Sequence, residues 1–450
     1  MLLDPVGWKK IRRTCEIALE KYKVNYAWVD TCCINKESSA ELQEAINTMF
    51  RYYADAIVCL TYLEDVGEGK KTFEKSRWFA RGWTLQELIA PYHLEFYDTD
   101  WRSIGRKDTL VEGICKITKI PENVLKRDVA LSKVPTAARM SWASRRETTR
   151  EEDMAYCLLG IFDINMPMLY GEGDKAFIRL QEEIIQQSAD MSIFLWARHP
   201  FMPSAYSGLL ADSPAHFRGM HSVIEKPYFN PTEYRITNRG IRFELKLGLD
   251  GTGIRYLSLK HRFPGVNRCR IALQRVATDV YIRVNADKIY SSSDIGQTEC
   301  AFYVPQRITA SQCDIIEQQA LKIDCAGFVL TDHFPLGCWN SWNQRFHAHA
   351  TGAFLGYIEF RKPDYQPIAI ICHAMNGNWS CGVDHYGERL DNLKEEVKDA
   401  RALMWHGKNT KNPLAVFMDL EVGFHSFGIV KKTLHLRVSL DEGGIGHICD

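Results

Sequence analysis

Apolar residues recur at helical spacing from the start of the chain. Trp8, Ile11, Cys15, Ala18, Leu19 and Tyr22 share one face of a predicted helix. Tyr26–Asp30 then reads as a short strand ending in a carboxylate. Ser38 followed by Glu41 has the spacing of a capping box. Behind it, Leu42, Ala45, Ile46, Met49 and Tyr53 form the stripe of a second helix. The run Ala56–Leu63 is apolar without interruption and rich in strand formers, which predicts a strand buried on both faces. Trp83–Ile89 reads as a short helix that Pro91 halts, and Leu94, Phe96 and Tyr97 mark a further strand. Helix and strand thus alternate through residues 1–135. That order predicts a doubly wound parallel sheet, whose functional groups gather at the carboxyl ends of the strands.

The pattern changes twice. Residues 136–200 read as a helical extension, with a second capping box at Thr149 and Glu152 opening a helix through Met154, Cys157, Leu158 and Ile161. A further amphipathic helix carries Ala176, Phe177, Leu180 and Ile184. His199–Pro203 reads as a linker. Through 201–450, short alternating segments are separated by Gly, Pro, Asn and Asp. They run Tyr234–Leu247, Arg255–His261, Cys269–Val276, Val280–Val284, Cys300–Val304, Ala353–Phe360 and Ile368–Cys372. This predicts an antiparallel, β-rich domain.

Composition narrows the function classes. Of 450 residues, 46% are hydrophobic and 25% charged, as in ordinary globular chains. With 56 basic residues against 56 acidic ones, the chain has no basic footprint for nucleic acid. The longest apolar runs are too short to span a bilayer. The 14 cysteines include no CxxC pair, so the usual zinc spacing is missing. The first residues, with Asp4, Pro5, Lys9 and Lys10, lack the apolar run of a secretory leader. The expectation is a cytoplasmic protein with reduced thiols.

Three stretches carry more information than their periodicity. Trp28-Val-Asp-Thr-Cys-Cys-Ile-Asn35, Glu41-Leu-Gln-Glu-Ala-Ile-Asn47 and Ser76-Arg-Trp-Phe-Ala-Arg-Gly-Trp-Thr-Leu-Gln-Glu-Leu-Ile-Ala-Pro91 are long and rich in tryptophan. They resemble signature blocks of fungal heterokaryon-incompatibility (HET) domains. Arg139-Met-Ser-Trp-Ala143, the run from Thr148 to Phe162, and Met166-Pro-Met-Leu-Tyr-Gly-Glu-Gly173 are similar to the segment that follows the domain in fungal members. The family usually opens with a strand bearing a Tyr-x-x-Leu-Ser-x-x-Trp-Gly block. The resemblance therefore implies that this chain lacks that first strand and the loop behind it. It also implies a part in non-self recognition and programmed cell death, through self-association of the HET domain or contact with another incompatibility protein.

The same order of elements is similar to that of TIR domains, some of which cleave NAD with a glutamate in a Trp-x-x-x-Glu helix. Here that spacing is Trp83-Thr-Leu-Gln-Glu87. The resemblance implies Glu87 as a catalytic carboxylate, with Asp30 and Trp83 beside the nucleotide and NAD as substrate rather than cofactor. A carboxylate can stabilise the oxocarbenium-like ribose left when nicotinamide departs. Against this, Trp83 can be core, Glu87 can pair with Arg77 or Arg81, and Asp30 can be a turn residue. Three functions stay open: an incompatibility effector, an NAD-cleaving enzyme, and a decayed, inactive copy. The other features are weaker. Cys32 and Cys33 read as packing residues and Gly67–Lys71 as a surface turn. The Gly171-Glu-Gly173 turn can meet an anion. His347 and His349 share one strand face near Cys338 or His333, without the spacing of a metal site.

Overall fold

In the computed structural model the chain forms two compact units: Met1–Ala197 with Leu210–Pro231 and His261–Gly265, and Arg198–Leu209 with Thr232–Lys260 and Val266–Asp450. The structure describes residues 5–198 continuously. Beyond them it describes 206–225, 233–249, 255–264, 268–277, 279–291 and 297–324, then a series of strands between 329 and 449. The linker expected at His199–Pro203 lies outside the described residues.

The first unit opens with helix α1 (Pro5–Tyr22). Lys23 adopts φ 57° behind it, and the Val24 N–H donates back to the Ala18 carbonyl, which closes the helix end. Asp30–Cys33 forms one turn, α2, and Ser39–Asp55 forms α3. Ser38 caps α3 by accepting from the Glu41 N–H. The Glu41 carboxylate closes a wider loop, accepting from Asn35 N–H at 3.0 Å. Ala45, Ile46 and Met49 are the buried positions of α3, as its stripe predicts.

Three strands follow: β1 (Cys59–Tyr62), β2 (Leu94–Tyr97) and β3 (Ser103–Arg106), in the order β1-β2-β3. Cys59 to Tyr62 run parallel to Leu94 to Tyr97 in direct register, and β3 lies antiparallel on the far side. Helix α4 (Thr84–Ile89) connects β1 to β2, with Leu85 and Leu88 fully buried. β2 is central and buried along its length. The rings of Phe73 and Trp78 meet Phe96 edge-on at 5.0 and 5.4 Å, so the sheet's core on this face is aromatic.

Two expectations need correction. Tyr26–Asp30 is not a strand: Val29 is extended at φ −134°, but residues 26–29 join no sheet, the Val29 carbonyl accepts from Cys32 and Cys33 N–H, and Asp30 starts α2. A strand pattern without an adjoining edge stays an unpaired extended segment. The sheet is also mixed rather than wholly parallel, because β3 turns back along β2.

Short helices α5 (Val111–Thr118), α6 (Glu122–Leu125) and α7 (Thr136–Ser141) lead to α8 (Asp153–Tyr156), α9 (Leu159–Phe162) and α10 (Lys175–Gln187). The helix expected through Met154–Ile161 is thus two pieces. The second capping box does not form. Instead the Glu152 carboxylate accepts from the Gly171 and Gly173 N–H groups at 2.7 and 3.1 Å. The glycine turn does meet an anion, and the anion is the chain's own. Gly160 sets α9 against α3: a Cβ there would stand 2.1 Å from that of Phe50.

The second unit is rich in antiparallel strands. Tyr234–Thr237 and Gly240–Leu249 form a hairpin, and Gln297–Val304 pairs with the long arm over eight residues. Gly240 turns at φ 117°, and a Cβ there would strike the Val304 carbonyl oxygen at 2.4 Å. Arg255–Arg262, Arg268–Arg275 and Tyr281–Val284 extend the same sheet. A second antiparallel sheet is built from Val329–Phe334, Ala353–Arg361, Ile368–Met375 and Asn378–Asp384. Among the described residues, the helix Ala310–Gln319 and parallel pairings such as Lys322 with Thr433 and Val280 with Tyr303 interrupt the expected antiparallel pattern.

Candidate active site

A cavity of about 690 Å³ lies along the free edge of β1. One wall is the extended segment Val24–Val29; opposite it stand Ala56–Leu60. Asp30 reaches the cavity from the first turn of α2, and Glu87 from the buried helix α4. The structure therefore brings together two of the three residues singled out in the sequence. Trp83 is not among the lining residues. It holds the N-cap position of α4, half-buried, and the rings at the cavity are Tyr26, Trp28, Tyr52 and Tyr53 instead. Trp28 packs against Tyr52 and Tyr53, at 5.3 and 5.7 Å between ring centres.

Glu87 is unusual for a carboxyl. Burial pushes its pKa up, the nearby Asp30 charge pushes it further, and it reaches about 7. Arg81, the Trp78 indole and Arg146 act in the opposite direction. Among the described residues no arginine stands within ion-pair distance of Glu87. Arg77 is engaged with Glu64 at 2.7 Å instead. Arg146 is buried, and its guanidinium donates to the Trp142 and Arg81 carbonyls and to the Thr84 hydroxyl. Desolvation brings it down to about 10. Glu87 is thus a carboxyl that exchanges its proton near neutral pH on the wall of a cavity, beside a second carboxylate. That is the equipment for general acid–base work or for stabilising a developing positive charge.

The sequence reading passed over Trp28, Tyr53 and Cys59 as site residues. Tyr53 and Cys59 both titrate high, through burial first and the Glu87 charge second, so neither supplies an anion. The signal for the tyrosines was their adjacency: Tyr52 and Tyr53 cannot both lie on the buried stripe of one helix. Cys32 and Cys33 are exposed, 4.0 Å apart at sulfur; partial desolvation and its neighbour raise the Cys32 thiol. Cys32 is therefore not an activated nucleophile. Among the described residues no cluster of three or more His, Cys, Asp or Glu is placed to hold a metal ion. His333 and His347 belong to different sheets, and Cys338 and His349 lie outside the described residues. Among the described residues no helix is long and apolar enough to cross a membrane.

These features define a class: a mixed α/β module whose helices and short sheet enclose an acidic, aromatic cavity. Residues 7–72, which hold α1, α3, β1 and most of the cavity wall, match the family model described as heterokaryon incompatibility protein (HET). That stretch is similar to a HET domain. Over 227 residues, 47% of this chain, it is 45% identical to the vegetative incompatibility protein HET-E-1 of Podospora anserina. The chain spans 16% of the length of that relative. No solved structure matches the chain.

Proposed function

We propose that this chain acts in fungal vegetative incompatibility, as a non-self recognition and cell-death effector whose HET domain signals by association with itself or with another incompatibility protein. The observation that carries the proposal is the match of residues 7–72 to the HET family, together with 45% identity to a vegetative incompatibility protein. Residues 201–450 then serve as a separate β-rich domain that senses the trigger. The test is inducible expression of the full chain in a filamentous fungus with viability staining of the hyphae. Death at soluble expression supports the reading, and unimpaired growth supports a decayed copy.

A second reading is favoured by one specific observation, the meeting of Glu87 and Asp30 at a single cavity. In it the domain is TIR-like and cleaves NAD. The bond between ribose and nicotinamide breaks with its electron pair passing to the ring nitrogen, and the ionised Glu87 stabilises the cationic ribose until water adds. Asp30 holds Glu87 near its point of half-ionisation, and Trp28 or Tyr53 offers a face to the ring. Because the ionised form acts, kcat/KM rises with pH through about 7. Incubation of the purified protein with NAD, with nicotinamide release followed by chromatography, tests this. Turnover that disappears in Glu87→Gln supports it; equal turnover in both removes Glu87 as the catalyst.

A further inference from the structure

Cys32 and Cys33 end the single turn α2, and both are exposed. Neither lines the cavity. Their sulfurs stand 4.0 Å apart. The turn holds them there, because the Val29 carbonyl accepts from both backbone N–H groups, at 3.1 and 2.9 Å. The two side chains meet Val29 in opposite ways. Cys33 Sγ accepts the Val29 N–H at 3.4 Å, whereas the Cys32 thiol donates to the Val29 carbonyl at 3.7 Å.

That polarity assigns the pair an order of reaction. The Cys32 proton is held on a carbonyl, and burial together with the Cys33 neighbour raises this thiol. Attack on an electrophile therefore falls to Cys33, whose sulfur faces a donor instead. A protonated thiol at the next residue is placed to resolve the product. A further exposed thiol, Cys15, acts on Cys32 from helix α1 and is the rival partner.

We propose that Cys32 and Cys33 are a redox modification site, closed by a hydroperoxide into a disulfide between adjacent residues. The Cys33 sulfur attacks one peroxide oxygen, the O–O bond breaks, and water departs with the thiol proton, leaving a sulfenic acid. The Cys32 sulfur then attacks the Cys33 sulfur, the S–O bond breaks, and the leaving hydroxide takes the Cys32 proton as a second water. Two thiols lose two electrons, and one hydrogen peroxide becomes two waters. Adjacent Cα atoms lie about 3.8 Å apart, below the usual disulfide range of about 4.4–6.8 Å, so the ring is strained and free thiols reopen it. A ring closed through the 32–33 peptide bond does not fit a helical turn, so closure unwinds α2, which also carries Asp30. The stretch similar to a HET domain thereby responds to oxidant. The proposal rests neither on NAD cleavage nor on the incompatibility reading.

The experiment treats the full chain with equimolar hydrogen peroxide, then iodoacetamide and trypsin, and reads the peptides by mass spectrometry. Trypsin leaves both cysteines in Val24–Lys36 and Cys15 in Thr14–Lys21. The first peptide should lose two hydrogens, resist alkylation and recover with dithiothreitol, while the second is still alkylated. Dimedone added with the peroxide should label Cys33 in the Cys32→Ser variant. In Cys33→Ser it should label Cys32 at about a tenth of that level or less. Alkylation of both Cys32 and Cys33 once Cys15 has been oxidised overturns the proposal, and so does a disulfide joining the two peptides. Equal dimedone labelling of the two variants overturns the assigned order.

Discussion

Glu87 and Glu95 flank the turn between α4 and β2, and their surroundings are opposite. Glu95, on the central strand, is 3% exposed. Its carboxylate accepts from Lys21 at 2.6 and 2.8 Å, from Tyr97 at 2.8 Å, from Ser103 at 2.6 Å, and from the Tyr22 hydroxyl. Desolvation alone would raise its pKa; these donors outweigh it and bring the group down to about 2. Glu87 is desolvated too, and the Trp78 indole, Arg81 and Arg146 do not outweigh burial and the Asp30 charge, so it rises to about 7. Burial therefore does not decide what a carboxylate is for. The donors around it do: Glu95 accepts from four side chains and ties α1 to the sheet, whereas Glu87 has the Trp78 indole and faces a cavity.

The comparison can be broken most forcefully at Glu95. Glu95→Ala leaves four donors at the end of α1 and on the sheet without their acceptor, and should cost about 3 kcal/mol in chemical denaturation. Its pH signature follows from the sign of the shift. The folded pKa lies below the ordinary 4.5, so the wild-type advantage is present above pH 4.5 and disappears as pH falls toward about 2. A variant of wild-type stability would mean that the network does not anchor α1.

Glu87→Gln should act in the other direction. The folded pKa lies above the ordinary value, so wild type loses stability as pH rises from 4.5 through about 7. Glutamine keeps the shape and does not titrate. The variant should match wild type at pH 4.5 and exceed it by roughly 1–3 kcal/mol at pH 8 in paired denaturant titrations. Destabilisation at pH 8 would show that the Glu87 charge is paired after all.

Asp30→Asn is the smallest perturbation. Asp30 is exposed and ranks behind burial as a cause, so the Glu87 pKa should fall by less than about one unit, followed by carbon-detected NMR of the carboxyl. No movement would separate the two carboxylates electrostatically.

Much of this was legible along the chain. The apolar run Ala56–Leu63 marks β1, the Leu94–Tyr97 pattern marks β2, and Pro91 closes α4 between them. Ser38 announces its helix because a cap is a local contact. What failed was settled at long range. Tyr26–Asp30 has strand chemistry, but a strand exists only where an edge adjoins it. Thr149 and Glu152 have capping spacing, yet Glu152 finds better donors at Gly171 and Gly173. The site was half legible: Glu87 follows from its spacing to Trp83, whereas Trp28 and Tyr53 meet only once α3 has packed. Glu95 left one trace, a charge inside an otherwise apolar strand, and its partner Lys21 is remote in sequence.

The central proposal is that the chain is an incompatibility effector acting through its HET-like residues 7–72. The most direct measurement is hyphal viability after induced expression of wild type, with Glu87→Gln in parallel and soluble protein confirmed for both. The account predicts death with wild type, and the Gln variant then divides association, which survives the change, from NAD cleavage, which does not. Full viability of hyphae that hold abundant, folded wild-type protein would contradict it.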